Sequence, residues 1–221
     1  MKNKHINIFN TICNSVYFCT VMLSNQKTFS VLIPAAGNSE RMGTPKLFLP
    51  FGNHTFVEEL EARYLEFGCL RIILVVNSND FHEIENRKIR FSANTVIVVN
   101  DNPELGRFHS IRLGLEKLDS GTTCFFQNID NPFAGFEVLN AIAEKANSVS
   151  VVVPTFNKQR GHPIALGAAV WQALLCQDGN QTNLKEELMK FPDIEIPVNN
   201  PDILINMNNM DDFRAFFGKT L

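Results

Sequence analysis

The chain has 221 residues, 45% of them apolar, and a formal net charge of -3, which suffices for one domain of ordinary size with a buried core. The charge and the absence of any lysine–arginine run exclude a typical nucleic-acid-binding surface. Five scattered cysteines without a CxxC pair predict neither a disulfide framework nor a zinc site, and they indicate a reducing, cytoplasmic location.

The amino-terminal segment starts basic and then becomes fairly apolar, as a signal peptide does. Asn7, Asn10 and Asn14 interrupt its apolar part, and no apolar run approaches the ~20 residues of a membrane span. We therefore expect residues 1–28 to be an extension outside the fold, residues 29–221 to form the domain, and no membrane partner. Met22 is a second candidate for the start of the native protein.

From Phe29 onward, short apolar runs alternate with amphipathic stretches. The apolar runs predict strands covered on both faces, at FSVLI (29–33), RIILVV (71–76), TVIVV (95–99), CFFQNI (124–129) and SVVVP (150–154). Helical spacing is found in TFVEELEARYLEFG (55–68), in SIRLGLEKL (110–118), which Ser110 opens, and in GFEVLNAIAEKA (135–146). Alternating strands and helices predict parallel β-α-β units and a single three-layer α/β domain.

After Pro154 the alternation becomes less regular. We expect helices around AAVWQALLC (168–176) and NLKEELMKF (183–191), a short strand near DILINM (202–207) and a closing helix at MDDFRAFFG (210–218). The sequence contains no internal repeat, low-complexity tract or linker, so one domain accounts for it.

The loop after the first predicted strand has the composition of an anion-binding site. Ala35-Ala36-Gly37 leaves room for backbone N–H groups to surround an anion at the carboxyl end of the strand, where ligands of open α/β sheets bind. Arg41 and Lys46 add a planar guanidinium and a mobile point charge, so the loop predicts binding of a triphosphate. Its spacing fits neither GxxxxGK[ST] nor GxGxxG.

The spacing Ala35-Ala36-Gly37-x-Ser39-x-Arg41-Met42-Gly43-x-x-Lys46 resembles the signature loop of nucleotidyltransferases. Within them the chain is similar to the MobA-like NTP transferases, including molybdenum cofactor cytidylyltransferases, and less closely to the cytidylyltransferases of the methylerythritol phosphate pathway. Four further segments resemble family motifs in the same order, namely residues 102–118, 128–133, 160–167 and 205–213. The resemblance implies a Rossmann-like domain with a mostly parallel sheet.

Nucleotidyl transfer builds negative charge on the α-phosphate and the leaving pyrophosphate, so it requires cations and a Mg²⁺ site. We assign Asp130 to the metal because it follows an apolar strand, and Lys46 and Arg41 to the phosphates. The resemblance adds Asn208 as a second metal ligand, Gly161 and His162 on the acceptor side, and a nucleotide site of Ala35, Ala36, Gly37, Ser39, Arg41, Lys46, Arg107 and Ser110. Five of the assignments have a structural alternative: an Asx turn at Asp130, a turn at Asn208, a solvated lysine at Lys46, a helix N-cap at Ser110 and a purely structural role for His162.

Ala-Ala-Gly is typical of the cytidylyl-transferring relatives, so the resemblance favours CTP as donor. Three functions follow: cytidylyl transfer to molybdopterin or a similar phosphorylated small molecule, the same transfer to a polyol or sugar phosphate, and nucleotide binding without turnover. The third is kept open by Asn208, which stands where many relatives carry aspartate.

Overall fold

A mostly parallel, eight-stranded sheet forms the middle layer of the computed structural model, which describes residues 27–37, 42–177 and 182–218. Its strands are β1 (Phe29–Pro34), β4 (Arg71–Asn77), β5 (Thr95–Asn100), β6 (Thr123–Phe126), β7 (Val151–Phe156), β8 (Gln159–Arg160), β9 (Ile164–Leu166) and β10 (Asp193–Pro197). Seven strands have the order β5-β4-β1-β6-β9-β7-β10, and β8 pairs with β7. Only β8 and β9 run antiparallel to their neighbours. Strands β2 (Pro50–Phe51) and β3 (His54–Thr55) form a separate hairpin.

Helices cover both faces of this sheet. The described helices are α1 (Phe56–Phe67), α2 (Ser78–Asn86), α3 (Arg107–Leu115), α4 (Phe136–Lys145), α5 (Ala168–Leu175), α6 (Leu184–Leu188) and α7 (Met210–Phe217), with short 3-10 helices at Lys46–Phe48, Pro103–Leu105 and Pro201–Leu204. Apolar side chains of α1, α2 and α4 pack on one face of the sheet, and those of α3 and α5 pack on the other. The three-layer α/β fold expected from the sequence is confirmed.

The alternation of side chains along the central strand β1 explains the two cores. Val31 and Ile33 point into the layer that holds α1 and α4, whereas Leu32 points into the layer that holds α3. All three side chains are fully buried, and each contributes roughly 1.5–3 kcal/mol through apolar burial. A third apolar cluster joins the β2–β3 hairpin, α1 and α7 near the carboxyl terminus.

Local capping signals set the ends of two helices. Thr55 and Glu58 form a capping box at the start of α1, and Gly68 ends that helix with a φ of 94°, a conformation that suits glycine. Asn209 and Asp212 form a second capping box at the start of α7. Both helices lie where the sequence predicts them.

Three predicted elements are wrong in detail. The strand predicted at 124–129 ends at Phe126, because the side chain of Gln127 donates to the carbonyls of Asn128 and Asn131 and holds the following residues as a loop. Helix α3 begins at Arg107 rather than at Ser110. The segment 202–207 contributes to a 3-10 helix instead of a strand, capped by Asn200.

Several further elements were not predicted, namely helix α2, the strands β2, β3, β8, β9 and β10 and the 3-10 helices at Lys46–Phe48 and Pro103–Leu105. They are too short to show a clear apolar period.

The described chain begins in contact with the fold. Lys27 donates to the carbonyls of Ala143 and Glu144 at the end of α4, and the Thr28 carbonyl accepts from Thr123. Residues 1–26, which make up nearly all of the predicted extension, lie outside the described residues. Within the described ranges, no helix has both the length and the apolar character that a membrane crossing requires.

Candidate active site

A cleft of about 510 Å³ opens at the carboxyl ends of the parallel strands. It is lined by the segments that follow β1, β5 and β6, which is where open α/β sheets bind ligands. The predicted site residues that line it are Ala35, Ala36, Gly37, Lys46, Arg107, Ser110, Asp130 and Asn208. Ser39 and Arg41 lie outside the described residues, so their assignment to the nucleotide stays a prediction.

The small residues after β1 are held rigidly at the edge of the cleft. The Ala35 N–H donates to the Val75 carbonyl at 2.7 Å, and the Ala36 carbonyl accepts from the Asn77 side chain at 3.4 Å. Ala35 and Ala36 are buried, and a Cβ added to Gly37 would meet no atom within 4 Å. The backbone of this loop can therefore be approached closely by an anion.

Lys46 and Asp130 form an ion pair inside the cleft. The distance from Lys46 Nζ to Asp130 Oδ2 is 3.1 Å, and the side chains are 16% and 23% exposed. Lys46 begins the first 3-10 helix, whose Leu47 and Phe48 are buried and fix its position. The pair brings together a cation and a carboxylate that are 84 residues apart in the sequence.

A buried hydrogen-bond network holds the Asp130 loop. The Tyr64 hydroxyl donates to Gln127 Oε1 at 2.8 Å, and Gln127 Nε2 donates to the carbonyls of Asn128 and Asn131 at 2.8 and 2.7 Å. On the other side, the Met207 N–H donates to the Asp130 carbonyl at 2.9 Å. This last bond brings the segment that carries Asn208 next to the loop that carries Asp130.

The donor set at Asp130 fits a hard divalent cation. Asp130 Oδ1 is buried and has no hydrogen-bond partner among the described residues, so it can accept a metal. Asn208 is exposed and lines the same cleft. The described residues contain no group of three or more His, Cys, Asp or Glu side chains that could hold a metal by themselves. A single carboxylate and an amide suit Mg²⁺, which completes its shell with water and phosphate oxygens.

A second and larger cleft, of about 1010 Å³, lies beside the first. It contains Gly161 and His162, and it lies between the sheet and the helices α3 and α6. Strand β9 runs antiparallel to β6, so the residues that precede it lie at the same edge as the end of β6. Apolar side chains line most of this cleft, including Val151, Val153, Ile164, Ile111 and Leu188.

Ser110, Arg107 and His162 acquire structural partners that their sequence context did not reveal. Ser110 is not an N-cap, because α3 begins three residues earlier, and its Oγ accepts from Asn100 Nδ2 at 2.9 Å. Arg107 lines both clefts. Burial lowers the pKa of His162, with the nearby Asp130 opposing that shift and Arg107 adding to it.

Sequence reasoning did not identify four polar residues that support the site. Gln127 and Asn128 follow β6, Asn77 ends β4, and Asp80 lies in the first turn of α2. Burial raises the pKa of Asp80 to about 6, while its hydrogen bond from Asn77 opposes this shift. The available signal was the presence of polar residues directly after apolar strands, at the edge where ligands bind.

Two curated relatives are cytidylyltransferases. The chain is 28% identical over 187 residues to the molybdenum cofactor cytidylyltransferase of Escherichia coli (strain K12), an alignment that covers 82% of this chain and 92% of that protein. It is 32% identical over 130 residues to the 2-C-methyl-D-erythritol 4-phosphate cytidylyltransferase of Bacteroides thetaiotaomicron. This second alignment covers 57% of the chain and 58% of the relative.

The fold also matches a solved structure. Rv0371C of Mycobacterium tuberculosis H37Rv, solved in complex with manganese, superposes with a TM-score of 0.69 at 19% identity. The match covers 89% of this chain and all of the other. At this identity the similarity establishes a shared fold.

A match to a family model covers most of the segments that line the first cleft. The model of the MobA-like NTP transferase domain matches residues 31–191, which is more than half of the chain and includes the loop after β1, Lys46 and Asp130. The family resemblance inferred from the sequence motifs is thus confirmed. The chain belongs to the family of MobA-like NTP transferase domains, and it is a nucleotidyltransferase.

Proposed function

We propose that the chain transfers CMP from CTP to a phosphorylated small molecule, with Mg²⁺ as cofactor and pyrophosphate as the second product. A molybdopterin-like compound is the favoured acceptor. The observation that carries the proposal is the junction of two clefts: the first contains the small-residue loop and the Lys46–Asp130 pair, and the second is twice as large and mostly apolar.

The first cleft is proposed to hold the nucleotide. The backbone at Ala35, Ala36 and Gly37 would surround the phosphates, and Arg107 and Ser110 would contact the base, ribose or phosphate from α3. Arg41 and Ser39 would extend the same site. The choice of CTP rests on the Ala-Ala-Gly sequence and on the two related cytidylyltransferases.

Lys46 is the residue proposed to stabilise the reaction. Its ammonium lies 3.1 Å from Asp130 Oδ2 inside the first cleft, which supports a position near the α-phosphate as that group gains charge. Asp130, with Asn208, would hold Mg²⁺, which supplies positive charge to the phosphate oxygens when bound. Because an acceptor phosphate oxygen is already a competent nucleophile, the chain needs to orient the two substrates rather than remove a proton.

The second cleft is proposed to hold the acceptor, with Gly161 and His162 at its inner end. One of the cations that line it, Arg160, donates to Asp193 and Glu195, which offsets part of its charge, and Arg107 and Lys185 line the cleft as well. The large apolar surface favours an acceptor with a flat, uncharged body and one phosphate. This supports a molybdopterin-like acceptor over a compact polyol phosphate.

A polyol or sugar phosphate is the alternative acceptor. It is favoured by the higher local identity to the 2-C-methyl-D-erythritol 4-phosphate cytidylyltransferase, 32% over 130 residues. That alignment covers only 57% of the chain. A cytoplasmic location and the absence of nucleic-acid and membrane partners are further parts of the proposal.

Thermal-shift and pyrophosphate-release assays test this function. We expect a Mg²⁺-dependent rise of the unfolding temperature with CTP and not with GTP, ATP or UTP, since a ligand stabilises the state that binds it. Asp130→Asn should lower the rate of pyrophosphate release by about 100-fold or more. Asp119→Asn is the matched control, because it breaks an exposed ion pair with Arg71 and should leave the rate unchanged.

Three outcomes would contradict parts of the proposal. A rise of the unfolding temperature with another nucleotide would replace CTP as the proposed donor. Full activity of Asp130→Asn would remove this residue from the metal site. Binding of CTP without pyrophosphate release from any phosphorylated acceptor would leave nucleotide binding without turnover as the function.

A further inference from the structure

The side chain of Asn128 forms the wall that the two clefts share. Together with Gly106 and Arg107 it lines both of them. Its Oδ1 lies 2.7 Å from Arg107 Nη2, and its Nδ2 lies 3.0 Å from His162 Nε2. One amide thus connects a predicted nucleotide-binding residue with a predicted acceptor-side residue.

The chemistry of the three groups allows one arrangement of protons. A guanidinium only donates hydrogen bonds, so the oxygen of the Asn128 amide must face Arg107. The amide NH₂ must then face His162, and because NH₂ only donates, His162 Nε2 must accept. An imidazole whose Nε2 accepts carries its proton on Nδ1 and is neutral. The opposite tautomer would place two N–H groups against each other at 3.0 Å.

The surroundings of the three groups support this arrangement. The Arg107 guanidinium also lies over the Phe126 ring, 5.9 Å from its centroid, which limits its movement. His162 Nδ1 is buried and has no hydrogen-bond partner among the described residues, so no other contact determines which nitrogen carries the proton. Burial and the positive charge of Arg107 both lower the pKa of His162, against the opposing effect of Asp130.

The backbone at Asn128 is fixed as firmly as its side chain. Its carbonyl accepts from Gln127 Nε2 at 2.8 Å and from the Asn131 N–H at 3.2 Å. The backbone N–H of His162 donates to the Ile203 carbonyl at 3.0 Å, which fixes the backbone that carries the ring. The geometry between the two clefts is therefore set before any substrate binds.

We propose that Asn128 is a positioning residue that holds Arg107 at the nucleotide cleft and His162 as a neutral ring with its proton on Nδ1. The role of this contact in the reaction rests on the proposed function, whereas the state of the ring does not. With Nε2 engaged by Asn128, His162 serves to shape the acceptor cleft and does not act as a general base.

Nitrogen NMR of the enzyme alone tests the state of the ring. Ring nitrogens with and without a proton differ strongly in chemical shift, and the His162 signals are identified by their loss in His162→Gln. We expect the wild-type ring to carry its proton on Nδ1. In Asn128→Asp the carboxylate can only accept, so Nε2 should become protonated. Asn140→Asp, on the exposed face of α4, is the matched control and should change nothing.

A wild-type ring protonated on Nε2 would overturn the proposal, and so would an unchanged tautomer in a folded Asn128→Asp. The wild-type spectrum decides the question even where that variant does not fold.

Kinetics test the positioning role. Asn128→Leu keeps the size of the side chain and removes both hydrogen bonds, so kcat/KM should fall by about 10-fold to 100-fold through misplacement of the substrates. Unchanged kinetics in this variant would refute that role. If no acceptor supports turnover in the wild type, the proposed function fails. The NMR experiment still tests the protonation of His162, because it needs no substrate.

Discussion

Tyr64→Phe should destabilise the protein by about 1–2 kcal/mol. Both Tyr64 and Gln127 are 1% exposed, and the hydroxyl is the described donor to Gln127 Oε1, at 2.8 Å. Phenylalanine keeps the ring and its packing, but it leaves a buried amide oxygen without a hydrogen bond, which costs about 1–3 kcal/mol. A small part of this cost is offset, because the variant has no hydroxyl group to desolvate on folding.

Urea denaturation at neutral pH measures this loss as a lower midpoint with an unchanged slope. In a thermal scan the same loss corresponds to a decrease of roughly 2–8 °C for a domain of this size. Ser78→Ala is the matched control, because it removes a hydroxyl that donates to Asp101 on the surface, and it should cost less than about 0.5 kcal/mol. If Tyr64→Phe were as stable as this control, the Tyr64–Gln127 bond would not hold the Asp130 loop.

Three other changes test the fold. In urea denaturation, Asp80→Asn should raise the free energy of unfolding by about 1–2 kcal/mol at pH 7 and leave it unchanged at pH 4. Burial raises the pKa of Asp80 to about 6, so the wild-type protein loses stability as pH rises through that value, whereas asparagine stays neutral. Gly114→Ala should cost about 1–2 kcal/mol, since its Cβ would lie 2.2 Å from Leu32 Cδ1 and 2.8 Å from Val75 Cγ2; an equally stable variant would refute this close approach. Arg63→Met should lower both the affinity for CTP and the urea midpoint, because the guanidinium donates to the carbonyls of Pro132 and Ala134, just after Asp130. An unchanged CTP affinity in calorimetry would contradict this prediction.

The sequence was sufficient to predict the layers of the fold and the edge at which ligands bind. Apolar runs such as 71–76 are buried on both faces, and a short segment with this composition is typical of a central strand. Thr55, Glu58 and Gly68 mark the ends of α1, and these capping residues can be recognised from the sequence around the helix alone. Lys46 and Asp130 lie together because they follow β1 and β6, two neighbouring parallel strands that end at the same edge of the sheet.

What the sequence could not predict depends on contacts between distant residues. The strand β6 stops at Phe126 because Gln127 turns its amide toward the following loop, and Tyr64, 63 residues earlier, accounts for that orientation. Asn128 becomes important through Arg107 and His162, which lie 21 and 34 residues away. Periodicity within a window carries no information about such partners.

The pairing of β6 with β9 has a consequence for how this protein can diversify. Strand β9, beside the proposed acceptor cleft, is joined to β6, beside the proposed nucleotide cleft, through three residue pairs, from Cys124 with Leu166 to Phe126 with Ile164. Substitutions at residues of the second cleft that do not also line the first, such as Val151, Val153 and Ile164, therefore need not disturb the loop after β1. If the proposed acceptor cleft is correct, exchange of residues 151–197 between relatives should change the choice of acceptor more than the choice of donor nucleotide.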